Sequence, residues 1–135
     1  MGEVSRSYPA VDFSSVDPVW PDKRSPEAKA YHHTRDAILA RGQRCIAALA
    51  ARPEKFVFVV SHSGFLRVGV AGWWWFNADY RIFDFETDEA GIPKLKQHDD
   101  TIAGGLGLSR TEPVELGLDL PEEDTPEEDP NATVV

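Results

Sequence analysis

Cysteine is nearly missing from this chain. Cys45 stands alone in 135 residues, so no intrachain disulfide can form, and a reducing compartment, the cytoplasm, is the expected location. Long apolar runs are missing too. No stretch approaches the roughly 20 residues needed to cross a bilayer, and residues 1–6 lack the apolar core of a signal peptide, so a membrane is not an expected partner. Basic residues stop at Arg110. Nine acidic residues follow without a basic one, which equals the formal net charge of −9, so residues 1–110 are balanced and the acidity belongs to the tail. With no basic stripe to neutralise phosphates, nucleic acid is not an expected partner either. No internal repeat occurs, and no motif calls for a metal or organic cofactor. His32 and His33 are adjacent and therefore point to different sides of a helix, which argues against a shared metal.

What is present centres on one stretch, Phe56-Val57-Phe58-Val59-Val60-Ser61-His62-Ser63-Gly64-Phe65-Leu66. Five consecutive apolar residues, β-branched and aromatic, predict a strand buried on both faces. Small residues break the run, and Phe65-Leu66-Arg67-Val68 continues in a helix-compatible pattern. A strand that opens through such a turn into a helix N-terminus is suited to holding an anion, because free backbone N–H groups and the helix dipole converge there. A histidine in that turn stands near the anion and titrates near neutrality. The competing reading is a satisfied core histidine.

Around this stretch the chain reads in order as follows. Residues 1–25, punctuated by Pro9, Pro18 and Pro21, predict an irregular lead-in, either a rim over a site or a packing strap. A helix is expected over 26–51, with Ser25 as N-cap, Pro26 in the first turn and Pro53 beyond its end. Its apolar face runs through Tyr31, Thr34, Ile38, Gly42, Cys45 and Leu49, which makes Cys45 a small hydrophobe and not a nucleophile. Trp73, Trp74 and Trp75 predict bulk filling the gap between helix and sheet, the alternative being an exposed docking or membrane-interface patch. A strand over 79–86, a turn at 88–93 and a returning antiparallel edge strand over 94–98 complete the regular structure. The Gly-, Pro- and Glu-rich remainder, 99–135, is expected to be disordered.

Val59-Val60-Ser61-His62-Ser63-Gly64-Phe65-Leu66 resembles the second-histidine motif of the histidine phosphatase superfamily, the phosphoglycerate mutase-like fold, in its fungal-type members. Phe76-Asn77-Ala78-Asp79-Tyr80-Arg81, Tyr8-Pro9-Ala10-Val11-Asp12-Phe13-Ser14 and Asp17-Pro18-Val19-Trp20 extend the likeness over 8–98. The resemblance implies a partial three-layer α/β/α fold with a mainly parallel sheet. Residues 26–98 would form its C-terminal half, with the N-terminal strands missing. It implies a phosphomonoesterase or mutase, with His62 as the assisting catalytic histidine and with Ser63 and Asn77 binding a phosphate-containing small molecule. Arg67 would be a second-shell charge or an ordinary helix-surface residue.

The same resemblance defines what is not there. The Arg-His-Gly motif, whose histidine becomes phosphorylated in family members, occurs nowhere in the chain, and Glu3 lies too near the start to stand for the family's acid. Without nucleophile and surrounding arginines the chain is expected to be catalytically incomplete. The alternative function is a non-catalytic phosphate-binding or interaction module. Uncovered strand edges would then require self-association or a partner covering the missing half. A third reading, Ser63 as a hydrolase nucleophile, is weak because Ser61 and Phe65 stand where that elbow needs glycines.

Overall fold

A computed structural model describes residues 2–123. Its helical elements are α1 (Gly2–Ser7), a 3-10 turn (Pro26–Tyr31), α2 (Arg35–Ala50), and α3 (Ser63–Phe65), which runs on without a break as a π-helical segment (Leu66–Ala71). The strands β1 (Phe83–Thr87) and β2 (Pro93–Gln97) follow, and then a second 3-10 turn (Asp99–Thr101). The chain is therefore mixed helix and strand.

The expected helix over 26–51 is two helices. Ser25 caps the first, its Oγ accepting from Ala28 N, and Thr34 caps the second, its Oγ1 accepting from Ala37 N. Between them the backbone at His32 is extended, with ψ 154°. The break is held by side chains: His32 Nε2 donates to Ser25 O at 2.9 Å, and Arg41 Nη1 donates to Ala30 O and His32 O at 2.7 and 3.1 Å. Two capping residues nine positions apart outcompete one continuous apolar periodicity. Within α2 the buried residues are Ala37, Ile38, Gly42 and Ile46, on the face that the spacing predicts.

That face meets the π-helical segment. A Cβ on Gly42 would lie 1.6 Å from Gly69 O, so the two backbones touch where neither carries a side chain. Ala28, Ala37, Ile38, Ile46, Val68, Val70 and Trp75 are the buried hydrophobic residues of this small core. The segment ends at Gly72, which takes the left-handed conformation (φ 69°) and donates to Arg67 O.

Strands β1 and β2 form an antiparallel hairpin in the register Phe83↔Gln97 to Thr87↔Pro93. Asp88 Oδ1 closes the turn by accepting from Ala90 N and Ile92 N. This is the only sheet among the described residues, and it is antiparallel. The mainly parallel sheet that the family resemblance implies is not formed there. Residues 56–60 join no ladder, and Phe56, Phe58 and Val60 are 85%, 96% and 99% exposed. A parallel strand needs neighbours for its N–H and C=O groups, and the remaining strands pair with each other.

The chain beyond residue 98 also departs from expectation. Val114 N donates to Gly72 O, Gly117 N to Val68 O, and, at the start of α2, Arg35 N to Pro121 O. Trp73 and Pro113 form an isolated bridge. Residues 99–123 thus satisfy the end of the π-helical segment and the start of α2, in place of the disorder their composition predicts. The rest of that prediction, for 124–135, falls outside the described residues. No helix among the described residues is long and apolar enough to cross a membrane.

Candidate functional site

His62 occupies the N-cap position of α3, with extended backbone (φ −75°, ψ 134°) and no capping bond from its side chain. Its ring is exposed. The chain turns into helix immediately after it, Leu66 N donating to His62 O at 3.1 Å. Ser63, Gly64 and Phe65 form the first turn, where amides have no acceptor within the helix. Gly64 has open space around it, so a ligand could approach this turn closely. An exposed imidazole beside first-turn amides has the donors that an anion requires.

Ser63 is tied down. Its Oγ donates to Trp75 O at 3.2 Å, which joins the helix start to the tryptophan segment and occupies the hydroxyl that a nucleophile would need free. This leaves Ser63 its amide as the group to offer a ligand. Asn77 follows two residues after that anchor and is exposed in the turn closed by Asp79 N to Phe76 O. The Ser63 bond thus draws the backbone leading to Asn77 towards the turn that carries His62. The run preceding the site is open to solvent where the sequence predicts a buried strand.

The tryptophan segment is organised by arginines. Arg81 lies over the Trp73 and Trp75 rings at 5.0 and 5.6 Å and donates from all three nitrogens to Trp74 O, Thr101 O, Ile102 O and Arg110 O. Burial depresses its pKa, yet it remains a guanidinium at any ordinary pH. Trp75 is buried and Trp73 and Trp74 are half-buried, so the expected core role holds for one ring, while an arginine lies over each of the three.

A cleft of about 360 Å³ opens on the other side of the π-helical segment. It is lined by Arg67, Val68, Trp74, Arg110, Glu112, Pro113, Val114, Leu118 and Asp119. Arg110 stacks over Trp74 at 5.2 Å. Arg67 Nε is buried with no hydrogen-bond acceptor among the described residues, an expensive condition for part of a cation. His62 does not line this cleft. The sequence predicts Arg67 only as a charge behind the site or on the helix surface, because the cleft forms only when residues 110–119 fold back across the helix.

Comparison with family models, with curated proteins and with solved structures gives no match to this chain.

Proposed function

We propose that this chain binds a phosphomonoester at the Ser61-His62-Ser63-Gly64 turn and does not complete its hydrolysis or transfer alone. The observation that carries the reading is the exposed His62 at the N-cap of a helix whose first-turn amides are available. His62 donates to a phosphoryl oxygen, the Ser63 amide donates to a second, and Asn77 closes the rim. In the histidine phosphatase superfamily that the motif resembles, such a histidine stabilises charge while another is phosphorylated. Donors aimed at developing negative charge are strong catalytic devices, but here no Arg-His-Gly supplies the group to be charged. In this reading residues 56–60 are a strand of a three-layer, phosphoglycerate mutase-like arrangement, of which 26–98 is the C-terminal half.

Titration with phosphate, or with vanadate as a trigonal-bipyramidal mimic, tests the site. Binding should be weak in the wild type and reduced about tenfold in His62→Ala, the loss of one charge-assisted hydrogen bond. Turnover of a generic phosphomonoester should stay at background in both proteins. Clear turnover that disappears in His62→Ala would replace the binding role with a catalytic one. Equal binding by the two proteins would remove the assignment.

The unsatisfied Arg67 Nε favours a second reading within the same class: a non-catalytic module that holds its anion between Arg67 and Arg110. Arg67→Gln separates the two. Binding that survives His62→Ala but is lost in Arg67→Gln moves the anion to the cleft.

A further inference from the structure

We propose that residues 56–60 pair with the same segment of a second copy of this chain, antiparallel about a two-fold axis at Phe58. Five consecutive apolar residues stand in water with exposures of 85%, 40%, 96%, 47% and 99%. The alternation has a period of two. Phe56, Phe58 and Val60 therefore project on one side and the less exposed Val57 and Val59 on the other. An extended, unpaired and uncharged strand of this kind is a template for another strand.

The sequence of the run selects the occupant. Only one antiparallel register maps the five residues onto themselves: Phe58 opposite Phe58, Val57 opposite Val59, and Phe56 opposite Val60. Any shift sets Lys55 or Ser61 against an apolar residue, so register is determined by the ends of the run. Beyond those ends, Lys55 falls opposite Ser61, and Glu54 opposite His62 of the second copy, so no like charges meet. The contact is isologous and closes on itself. Pairing covers only the facing flanks of these side chains, which places the contact in the small, transient class below roughly 1,200 Å². Neither His62 nor Ser63 supplies the apolar contacts of this association, although its register sets Glu54 of the second copy opposite His62.

Sedimentation velocity of the full chain over roughly 1 to 100 µM tests it, the range in which an interface of this size should dissociate. The wild type should shift from monomer to dimer across the range. Phe58→Glu and Phe58→Lys each place like charges at the axis and should each remain monomeric, with unchanged circular dichroism because the side chain is free of intramolecular packing. An equal mixture of the two variants should associate again, since Glu then faces Lys. A wild type that stays monomeric throughout, or single variants that dimerise as it does, would overturn the proposal. Failure of the mixture to associate would overturn the two-fold register.

Discussion

Arg81 ties together chain segments that lie far apart in the sequence. Five hydrogen bonds run from its guanidinium to four carbonyls that lie 7, 20, 21 and 29 residues away, so it closes the loops around the tryptophan segment. Replacing Arg81 with Ala leaves those acceptors unsatisfied and uncovers two indole faces, and should cost about 3 kcal/mol in denaturant unfolding. Lys in its place restores charge but not a fork, and should recover less than half of that. A lysine variant as stable as the wild type would show that charge alone suffices. Asp79 does the complementary work. Its carboxylate accepts from Ser109 Oγ at 2.6 Å and from Leu106 N and Tyr80 N at 2.9 Å. Burial pushes its pKa up, but these hydrogen bonds outweigh it, and the pKa lies below the ordinary 3.8. A depressed carboxylate contributes stability that is present above its unfolded pKa and lost as pH falls through its folded one. The stability gap between wild type and Asp79→Asn should therefore be constant at neutral pH and shrink below about pH 4. A gap that persists to lower pH would mean that the neutral acid serves equally well. Neither role was legible in the sequence, because Arg81 and Asp79 acquire partners only through chain segments that return from far away. The turn at His62, by contrast, was legible as a local break between two patterns.

At the scale of elements, the contact between α2 and the π-helical segment rests on backbone meeting backbone. Alanine is the better helix former by about 1 kcal/mol, so Gly42→Ala would stabilise an isolated helix. Here its Cβ would stand 1.6 Å from Gly69 O, an atom that cannot rotate away. The helices must separate, and the net loss should be about 2 kcal/mol in thermal or chemical unfolding. Gly64→Ala, with nothing within reach of its Cβ, should be neutral or slightly stabilising under the same measurement. Equal effects of the two substitutions would rule out the close approach as the cause. The apolar face of α2 and the β1–β2 hairpin could be read from spacing and turn residues, since both follow local periodicity. The 3-10 turn before α2 escaped because Ser25 and Thr34 each cap a helix, and periodicity alone merges what two caps divide. Residues 56–60 carry the composition of a buried strand, but composition does not provide the neighbours that bury one.

For the whole molecule, the decisive fact is that the described part of its acidic, Pro-containing stretch, residues 111–123, is built in. Composition argued for disorder because few apolar residues lie beyond Arg110, and that argument weighs only side-chain burial. The chain uses backbone groups instead. The last carbonyls of a helix lack partners within it, and here Val68 O and Gly72 O accept from Gly117 N and Val114 N at 2.7 Å. At the start of α2, where amides are in excess, Arg35 N donates to Pro121 O at 2.8 Å. Residues 111–121 thus bridge the ends of the two helices that form the core, and Gly117 is buried between them. A chain ending at Glu123 should keep this bridge, and one ending at Arg110 should lose it. Two carbonyls left without donors and one amide left without its acceptor correspond to about 2–3 kcal/mol, or roughly 10 °C or more in thermal midpoint for a domain of this size. The comparison is direct, since the two chains differ only by residues 111–123. Loss of the bridge should also open the cleft beside Arg67, exposing Trp74 and shifting its fluorescence to the red before global unfolding. Coincident midpoints and identical emission spectra would mean that the helix ends are satisfied by water, and that these residues merely rest on the surface.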